Sequence, residues 1–497
     1  MISRELERAR AWEEMKDKEI DPLSRPAFHL SARVGWMNDP NGFSRYGGKY
    51  HLFYQYHPYD AQWGPMHWGH AVSEDLLHWE YLPCALAPDT DADRDGCFSG
   101  SAAELPDGRQ LLIYTGVVET ELPDGRRRHI QRQCLAFGDG LNYDKYEDNP
   151  ILTEADLPEG GSRLDFRDPR LLREEDGTWS LLTANATPER DARLIRFTSS
   201  DAVHWEDGRV MIRNGGRIGT VWECPELLTI DGEDVLLTCP MDMQAEGTDF
   251  HPGNGSACMI GSLDRETGEF VPRVLRPIDC GIDFYATQSI RTPDGRTVMI
   301  AWMQNWDTAS SYRDERTQWL GQTTLPRELT VRDSRLFQAP VRELLALRRD
   351  EVRCAAVPVE GRVSLPGVAG RCVDLELTVR QGRDKMWRCF TVALAADETH
   401  RITVEYDRAK ELLSIDRTFS GTRRAIVHRA SAAVPTDEKD GALTLRIILD
   451  RCSLEVFACG GEKTLTMTYY TPLTADGIWF EADGDAEMDL VRYALEV

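Results

Sequence analysis

No stretch of this 497-residue chain approaches the roughly 18 uninterrupted apolar residues that a membrane-spanning helix requires. No Cys-x-x-Cys pair occurs either. The 12 cysteines stand singly, at positions 84, 97, 134, 224, 239, 258, 280, 354, 372, 389, 452 and 459, which indicates neither a zinc site nor a disulfide framework. Positive charge is scarce: 58 Lys and Arg against 83 Asp and Glu leave a net charge of −25. That balance argues against nucleic acid, a membrane surface or a polyanionic substrate as the main partner, and an uncharged ligand suits it better. Met1 to Ile20 is charged throughout, without the apolar core of a secretion leader, so a cytoplasmic, reduced protein is expected. In that setting Asn185-Ala186-Thr187 and Asn254-Gly255-Ser256 read as chance matches to the glycosylation triplet.

What remains is an ordinary globular composition, 41 % hydrophobic and 28 % charged, long enough for two or three domains. Residues 2–20 read as a short charged helix with Leu6, Ala9, Trp12 and Met15 on one side, ended near Asp21-Pro22. Helical periodicity then gives way to a repeat. Five times a Gly-centred turn leads into a short apolar strand: Gly47-Gly48-Lys49, Asp107-Gly108-Arg109, Asp176-Gly177-Thr178, Asp231-Gly232-Glu233 and Asp294-Gly295-Arg296. The turns recur every ~55–70 residues, room for four strands and their loops. A second echo pairs Ser73-Glu74-Asp75-Leu76-Leu77-His78-Trp79-Glu80 with Ser199-Ser200-Asp201-Ala202-Val203-His204-Trp205-Glu206.

Five all-β repeats of this size predict a five-bladed β-propeller over residues 26–340, after an N-terminal helical extension over 1–25. Residues 341–356 read as a linker helix carrying Val341, Leu344, Leu345 and Leu347. From Val357 to the end the apolar residues alternate strictly, as in Val373-Asp374-Leu375-Glu376-Leu377-Thr378-Val379. That pattern predicts an all-β sandwich over 357–497.

Three acids sit in unusual surroundings. Asp39 lies in Gly35-Trp36-Met37-Asn38-Asp39-Pro40-Asn41-Gly42, a run of turn formers that predicts a tight bend rather than a strand interior. Taken alone it reads as an Asx-Pro-Asn-Gly hairpin turn. Asp168 lies in Phe166-Arg167-Asp168-Pro169-Arg170 and Glu223 in the otherwise apolar Val221-Trp222-Glu223-Cys224-Pro225. Each falls near the start of a different predicted blade, and innermost propeller strands converge on one axis, so the three can meet. Desolvation beside Trp222 and Cys224 is expected to keep Glu223 protonated, while Arg167 is expected to hold Asp168 anionic and the polar turn to keep Asp39 ionised. One proton donor facing two carboxylates is the division of labour that acid-catalysed glycoside cleavage needs.

At these motifs the chain resembles glycoside hydrolase family 32, the β-fructofuranosidases. Trp36 to Gly42, Arg167-Asp168-Pro169 and Glu223-Cys224-Pro225 are similar to the three signatures of that family. Tyr50 to Tyr56, Trp68-Gly69-His70-Ala71, Cys97-Phe98-Ser99-Gly100-Ser101, Asp283-Phe284-Tyr285-Ala286 and Leu325-Pro326-Arg327-Glu328-Leu329 extend the likeness through the propeller, and Asp450 to Phe457 into the sandwich. The resemblance implies a retaining double displacement: Asp39 as nucleophile, Glu223 as acid and then base, Asp168 bonding fructose hydroxyls and stabilising the transition state. It implies carboxyls of Asp39 and Glu223 roughly 5–5.5 Å apart. It further implies that Asn38, Gln55, Trp63, Phe98, Ser99, Arg167, Tyr285 and Trp302 line the fructose pocket, that Cys224 tunes Glu223, and that no cofactor or metal is used.

Other features have plainer readings. His51, His57, His67 and His70 crowd the first blade without a metal-ligand motif and read as hydrogen-bonded structural groups. Ser99 lacks a Gly-x-Ser-x-Gly elbow, and Arg126-Arg127-Arg128 reads as a solvated loop. Sucrose and short fructooligosaccharides are the expected substrates. Sucrose 6-phosphate, inulin and levan stay open, a phosphorylated substrate requiring a basic rim to which Arg217, Arg313 or Arg316 could contribute. Fructosyl transfer and a non-catalytic sugar-binding propeller are the rival classes. The oligomeric state stays open, a homo-oligomer included.

Overall fold

A computed structural model describes residues 2–121, 125–206, 208–309, 317–383, 386–421, 427–437 and 439–496. Five sheets are arranged as the blades of a propeller, each led by its innermost strand: Gly35–Tyr46, Gly96–Glu104, Arg167–Arg173, Trp222–Ile230 and Tyr285–Arg291. The five repeated turns join the innermost strand of each blade to its second strand. Their glycines Gly48, Gly108, Gly177, Gly232 and Gly295 share a φ of 85–87°, a backbone state that side chains resist. The Ser-x-Asp echo forms matching loops after the third strands of the first and third blades: His78 Nδ1 lies 2.6 Å from Asp75 and His204 Nδ1 lies 2.8 Å from Asp201.

Blade faces are glued by period-two alternation. Leu112 and Tyr114 pack with Phe53 and Trp68 of the first blade, whereas Leu111 and Ile113 pack with Phe166 and Leu181 towards the third. Equivalent clusters join the third to the fourth blade through Leu194 and Trp222, and the fourth to the fifth through Val235 and Met299. The ring closes in an unforeseen way. The short strand Trp319–Leu320 leaves the fifth blade and pairs in parallel with Gly35 and Trp36. Around it, Gly35 N donates to Gln318 O at 2.8 Å and Thr323 N to Leu30 O at 2.8 Å.

The N-terminal helix spans Arg4–Asp17, capped by Ser3, whose hydroxyl accepts from Leu6 N at 3.1 Å. Its buried face holds Leu6, Ala9 and Glu13, and the expected Met15 is exposed. An acid takes that place because the outermost strand of the first blade, Trp79–Leu86, offers an unpaired amide there: Cys84 N donates to Glu13 Oε1 at 2.8 Å. Burial pushes the Glu13 carboxyl up to about 7.

The expected linker helix over 341–356 is a 3-10 helix only over Arg342–Leu347. The strand Arg348–Val363 follows at once and pairs with Gly477–Leu495. The sandwich is one ten-stranded sheet folded over itself: Gly477–Leu495 pairs first with Cys389–Ala396 and then with Val373–Gln381, so it runs through both layers. Its seam with the propeller is charged and buried. Arg327 Nη1 lies 2.9 Å from Asp279 and Nη2 2.6 Å from Glu455, while His29 bonds Asp450 at 2.7 Å and Glu455 at 2.9 Å, all fully buried.

Candidate active site

The Asp39 stretch is not the bend its composition suggests. It lies inside the strand Gly35–Tyr46, where Met37 pairs with Tyr56 and Pro40 with Tyr54, so one extra residue is squeezed in around Asp39. The same defect recurs in all five innermost strands. Phe98 and Gly100 oppose Thr115 and Tyr114; Arg167 and Arg170 oppose Ala184 and Leu182. Glu223 and Glu226 oppose Cys239 and Leu237, and Tyr285 and Gln288 oppose Trp302 and Ile300. A bulge leaves one residue unpaired and re-aims its neighbours. Five bulges at one level of the axis turn Asp39, Ser99, Asp168, Glu223 and Tyr285 to a common centre. Three bulge residues, Asp168, Cys224 and Ala286, adopt φ values of 59°, 47° and 54°.

Cys224 ties the acids together. Its backbone N–H donates to Asp168 Oδ2 at 2.9 Å and its thiol lies 3.6 Å from Asp39 Oδ2, while Glu223 precedes it in the chain. The thiol therefore serves Asp39, not Glu223 as expected. Asp39 also accepts from Ser99 Oγ at 2.6 Å and Asn38 Nδ2 at 3.0 Å, and Trp36 Nε1 holds the Asn38 carbonyl at 2.7 Å. Burial, with the nearby Glu223 charge, raises the Asp39 carboxyl above the usual range; the bonds from Ser99, Asn38 and Cys224 work against the rise.

The expected surroundings of Glu223 and Asp168 are reversed. Trp222 points away into the core, its Nε1 bonded to Ile218 O at 2.8 Å, because neighbours on a strand face opposite sides. Glu223 instead meets Arg167 Nε at 2.9 Å and the Tyr285 hydroxyl at 2.6 Å. Asp168, expected to be held down by Arg167, is pushed up to about 7: burial outweighs the Arg167 charge, and the charges of Glu223 and Asp39 add to it.

The remaining expected pocket residues divide by position. Arg167 is buried, its guanidinium also reaching Gln131 Oε1 at 3.4 Å and Asp165 at 3.3 Å. Gln55 is buried and donates to Cys97 O at 2.9 Å. Trp63 and Phe98 meet edge to face at 6.0 Å, Trp63 41 % exposed, and form an aromatic rim. Trp302 is fully buried, behind Trp36 and Trp306 at ring distances of 5.9 and 5.1 Å, so it backs the wall rather than forming its surface. Sequence reading missed His129, 5.9 Å from Phe98, and Thr115, whose hydroxyl accepts from Asp168 N at 3.0 Å. It also missed Gln131, which accepts from Phe166 N at 3.0 Å. These lie on second and third strands, where only alternation marks them. Arg217 is exposed at a loop, its Nη1 on Arg213 O at 3.2 Å, and Arg313 and Arg316 lie outside the described residues. The four histidines of the first blade are hydrogen-bonded: His51 with His70 at 3.0 Å, His57 with Gln62 O at 2.8 Å and His67 with Pro65 O at 2.9 Å.

Buried Asp39 and Asp168 with half-buried Glu223, gathered beside an aromatic rim where the innermost strands of a five-bladed propeller converge, form the kind of acid cluster that glycoside cleavage requires. Residues 29–340 match the N-terminal domain of the glycosyl hydrolases family 32 and residues 343–494 its C-terminal domain, so the chain belongs to that family. It is 36 % identical over 468 residues to the raffinose invertase of Escherichia coli, covering 93 % of each chain. To a sucrose-6-phosphate hydrolase of Escherichia coli it is 34 % identical, covering 90 % of this chain and 89 % of the relative. Among solved structures, a mutant Bombyx mori GH32 β-fructofuranosidase in complex with sucrose superimposes with a TM-score of 0.83 at 32 % identity, covering 99 % of this chain and 98 % of that one.

Proposed function

We propose that the chain is a retaining β-fructofuranosidase that releases terminal β-D-fructose from sucrose and short fructooligosaccharides. The observation that carries the reading is the junction at Cys224, which holds Asp39 and Asp168 within one residue's reach beside Glu223. In the first step an Asp39 oxygen attacks C2 of the fructosyl unit while the C2–O bond breaks and Glu223 gives its proton to the leaving oxygen. In the second, Glu223 takes a proton from water, the water oxygen bonds to C2, and the Asp39 ester is released. Asp168, with Asn38 and Gln55 nearby, binds fructose hydroxyls.

The cluster retains a proton near neutrality, since Asp168 titrates at about 7. Fructose hydroxyls donating to Asp39 and Asp168 favour their anionic forms. Trp63, Phe98 and His129 form the rim where the leaving sugar sits. All 12 cysteines are free and eight are buried, which supports a reducing, cytoplasmic setting. The test is the set of products released from sucrose, sucrose 6-phosphate, kestose, inulin and levan side by side. Free fructose from sucrose and kestose is expected. A strong preference for sucrose 6-phosphate would move the chain to the phosphorylated substrate, and growing oligosaccharides at high sucrose would move it to fructosyl transfer.

A further inference from the structure

Below the acids, each innermost strand turns a second polar side chain or backbone group to the same axis. Asn41, Ser101 and Arg170 follow Asp39, Ser99 and Asp168 by two residues, the strand period; Glu226 and Gln288 follow Glu223 and Tyr285 by three, across their bulges. Together they close a belt through all five blades. Gly100 N donates to Asn41 Oδ1 at 3.3 Å, joining the second blade to the first. Ser101 Oγ donates to Pro169 O at 2.8 Å and accepts from Leu171 N at 2.8 Å, joining the second to the third. Arg170 Nη2 meets Glu226 Oε1 at 3.1 Å, joining the third to the fourth, and the same oxygen accepts from Ser289 N at 2.8 Å in the fifth. Gln288 Oε1 accepts from Phe43 N at 3.3 Å and from Arg170 Nη1 at 3.3 Å, and its amide donates to Gly100 O at 3.2 Å. The five side chains are buried, Glu226 and Asn41 completely.

We infer that Arg170 and Glu226 are positioning residues: an ion pair on the propeller axis that fixes the spacing of Asp39, Asp168 and Glu223 by locking the strands that carry them. A buried ion pair is a poor way to gain stability, because apolar side chains of the same volume often do as well or better. What it supplies is a directional, two-sided constraint. Arg170 sits two residues from Asp168 and Glu226 three from Glu223, so a shift at the belt becomes a shift between the acid and the transition-state stabiliser. Among the described residues Arg170 Nε, Glu226 Oε2 and Asn41 Nδ2 have no hydrogen-bond partner, so the belt presents donors and an acceptor to the axis. That mixture suits ordered water better than an ion of either sign.

The inference rests on the fructosidase reading and is tested by one set of variants assayed for fructose release from sucrose. Arg170→Met with Glu226→Leu replaces the pair by apolar groups of similar size. The double variant is expected to melt at or above the wild-type temperature and yet lose at least ~10-fold in kcat, with KM changed less than ~3-fold, since a misplaced catalytic group costs turnover rather than affinity. Glu226→Ala is expected to lose as much, and Glu226→Gln to recover most of that loss by restoring the bond to Ser289 N. If the double variant fails to fold, the Glu226→Ala and Glu226→Gln comparison decides alone. A folded double variant, or a folded Glu226→Ala, with kcat within ~3-fold of wild type overturns the positioning role. Wild-type protein that releases no fructose from any fructoside overturns the fructosidase reading and this inference with it.

Discussion

Arg167 gives its guanidinium to Glu223, Nε to Oε1 at 2.9 Å, and not to the aspartate that follows it in the chain. A charge-assisted bond in a buried site contributes on the order of 1.5–3 kcal/mol. Arg167→Lys cannot reproduce the side-on Nε contact. It is expected to lower kcat/KM by ~10–100-fold while the melting temperature stays close to wild type, and an unchanged rate would show the contact to be idle.

Asp39→Ala and Glu223→Ala are each expected to leave a folded protein with turnover reduced at least ~10³-fold, the scale of losing a reacting group. Steady-state fructose release with circular dichroism alongside checks both. Substantial activity in either folded variant would contradict the assigned roles.

Ser99 is expected to govern the acid limb of the rate profile. Its hydroxyl donates to Asp39 at 2.6 Å and opposes the rise that burial imposes on that carboxyl. Ser99→Ala is expected to move the acid limb to higher pH, so that kcat/KM at pH ~5 falls more than at pH ~7. A uniform loss at all pH values would count against this link.

Asp168 costs the fold stability where it is ionised. Its folded-state value of about 7 lies above the ordinary 3.8, so its contribution is intact below that lower value and is lost as pH rises through about 7. Asp168→Asn is expected to raise stability by a few kcal/mol above pH ~7, fading towards pH ~4, while abolishing most activity. Thermal melts of both proteins across that range would reveal a missing pH dependence.

His29 acts at the seam between the domains. Burial alone would lower it, but the bonds to Asp450 and Glu455 outweigh burial and carry it from 6.5 to about 9. Its stabilisation is therefore full below pH 6.5 and lost as pH rises through about 9. His29→Gln is expected to remove a decline of up to ~3 kcal/mol between those limits. Denaturant titrations at both ends test it, and equal slopes for the two proteins would refute it.

Much of this was legible in the residues. Turn glycines at a steady interval announced five hairpins because only glycine adopts their shared φ cheaply, and the motifs that hold Asp39, Asp168 and Glu223 marked the acids. What could not be read was direction. Period-two logic puts Trp222 and Glu223 on opposite sides, and five bulges then reset which side faces the axis, so adjacency in sequence misassigned the partners of Glu223, Asp168 and Cys224. Residues 348–356 read as helix yet open the strand Arg348–Val363, because the pairing with Gly477–Leu495 is set by residues more than a hundred positions away. The glycosylation-like Asn185 and Asn254 prove buried, donating to Ser162 O at 2.9 Å and Asp307 at 3.0 Å, which sequence triplets cannot report.

The parallel pairing of Trp319–Leu320 with Gly35 and Trp36 has a consequence for how the enzyme is made. The strand that carries Asp39 leaves the ribosome early, yet its neighbour Trp319–Leu320 is synthesised almost three hundred residues later. A nascent chain halted before that neighbour would expose the Trp36 edge and hold Asp39 on an unfinished wall, so catalytic competence arrives only near the end of translation of the first domain.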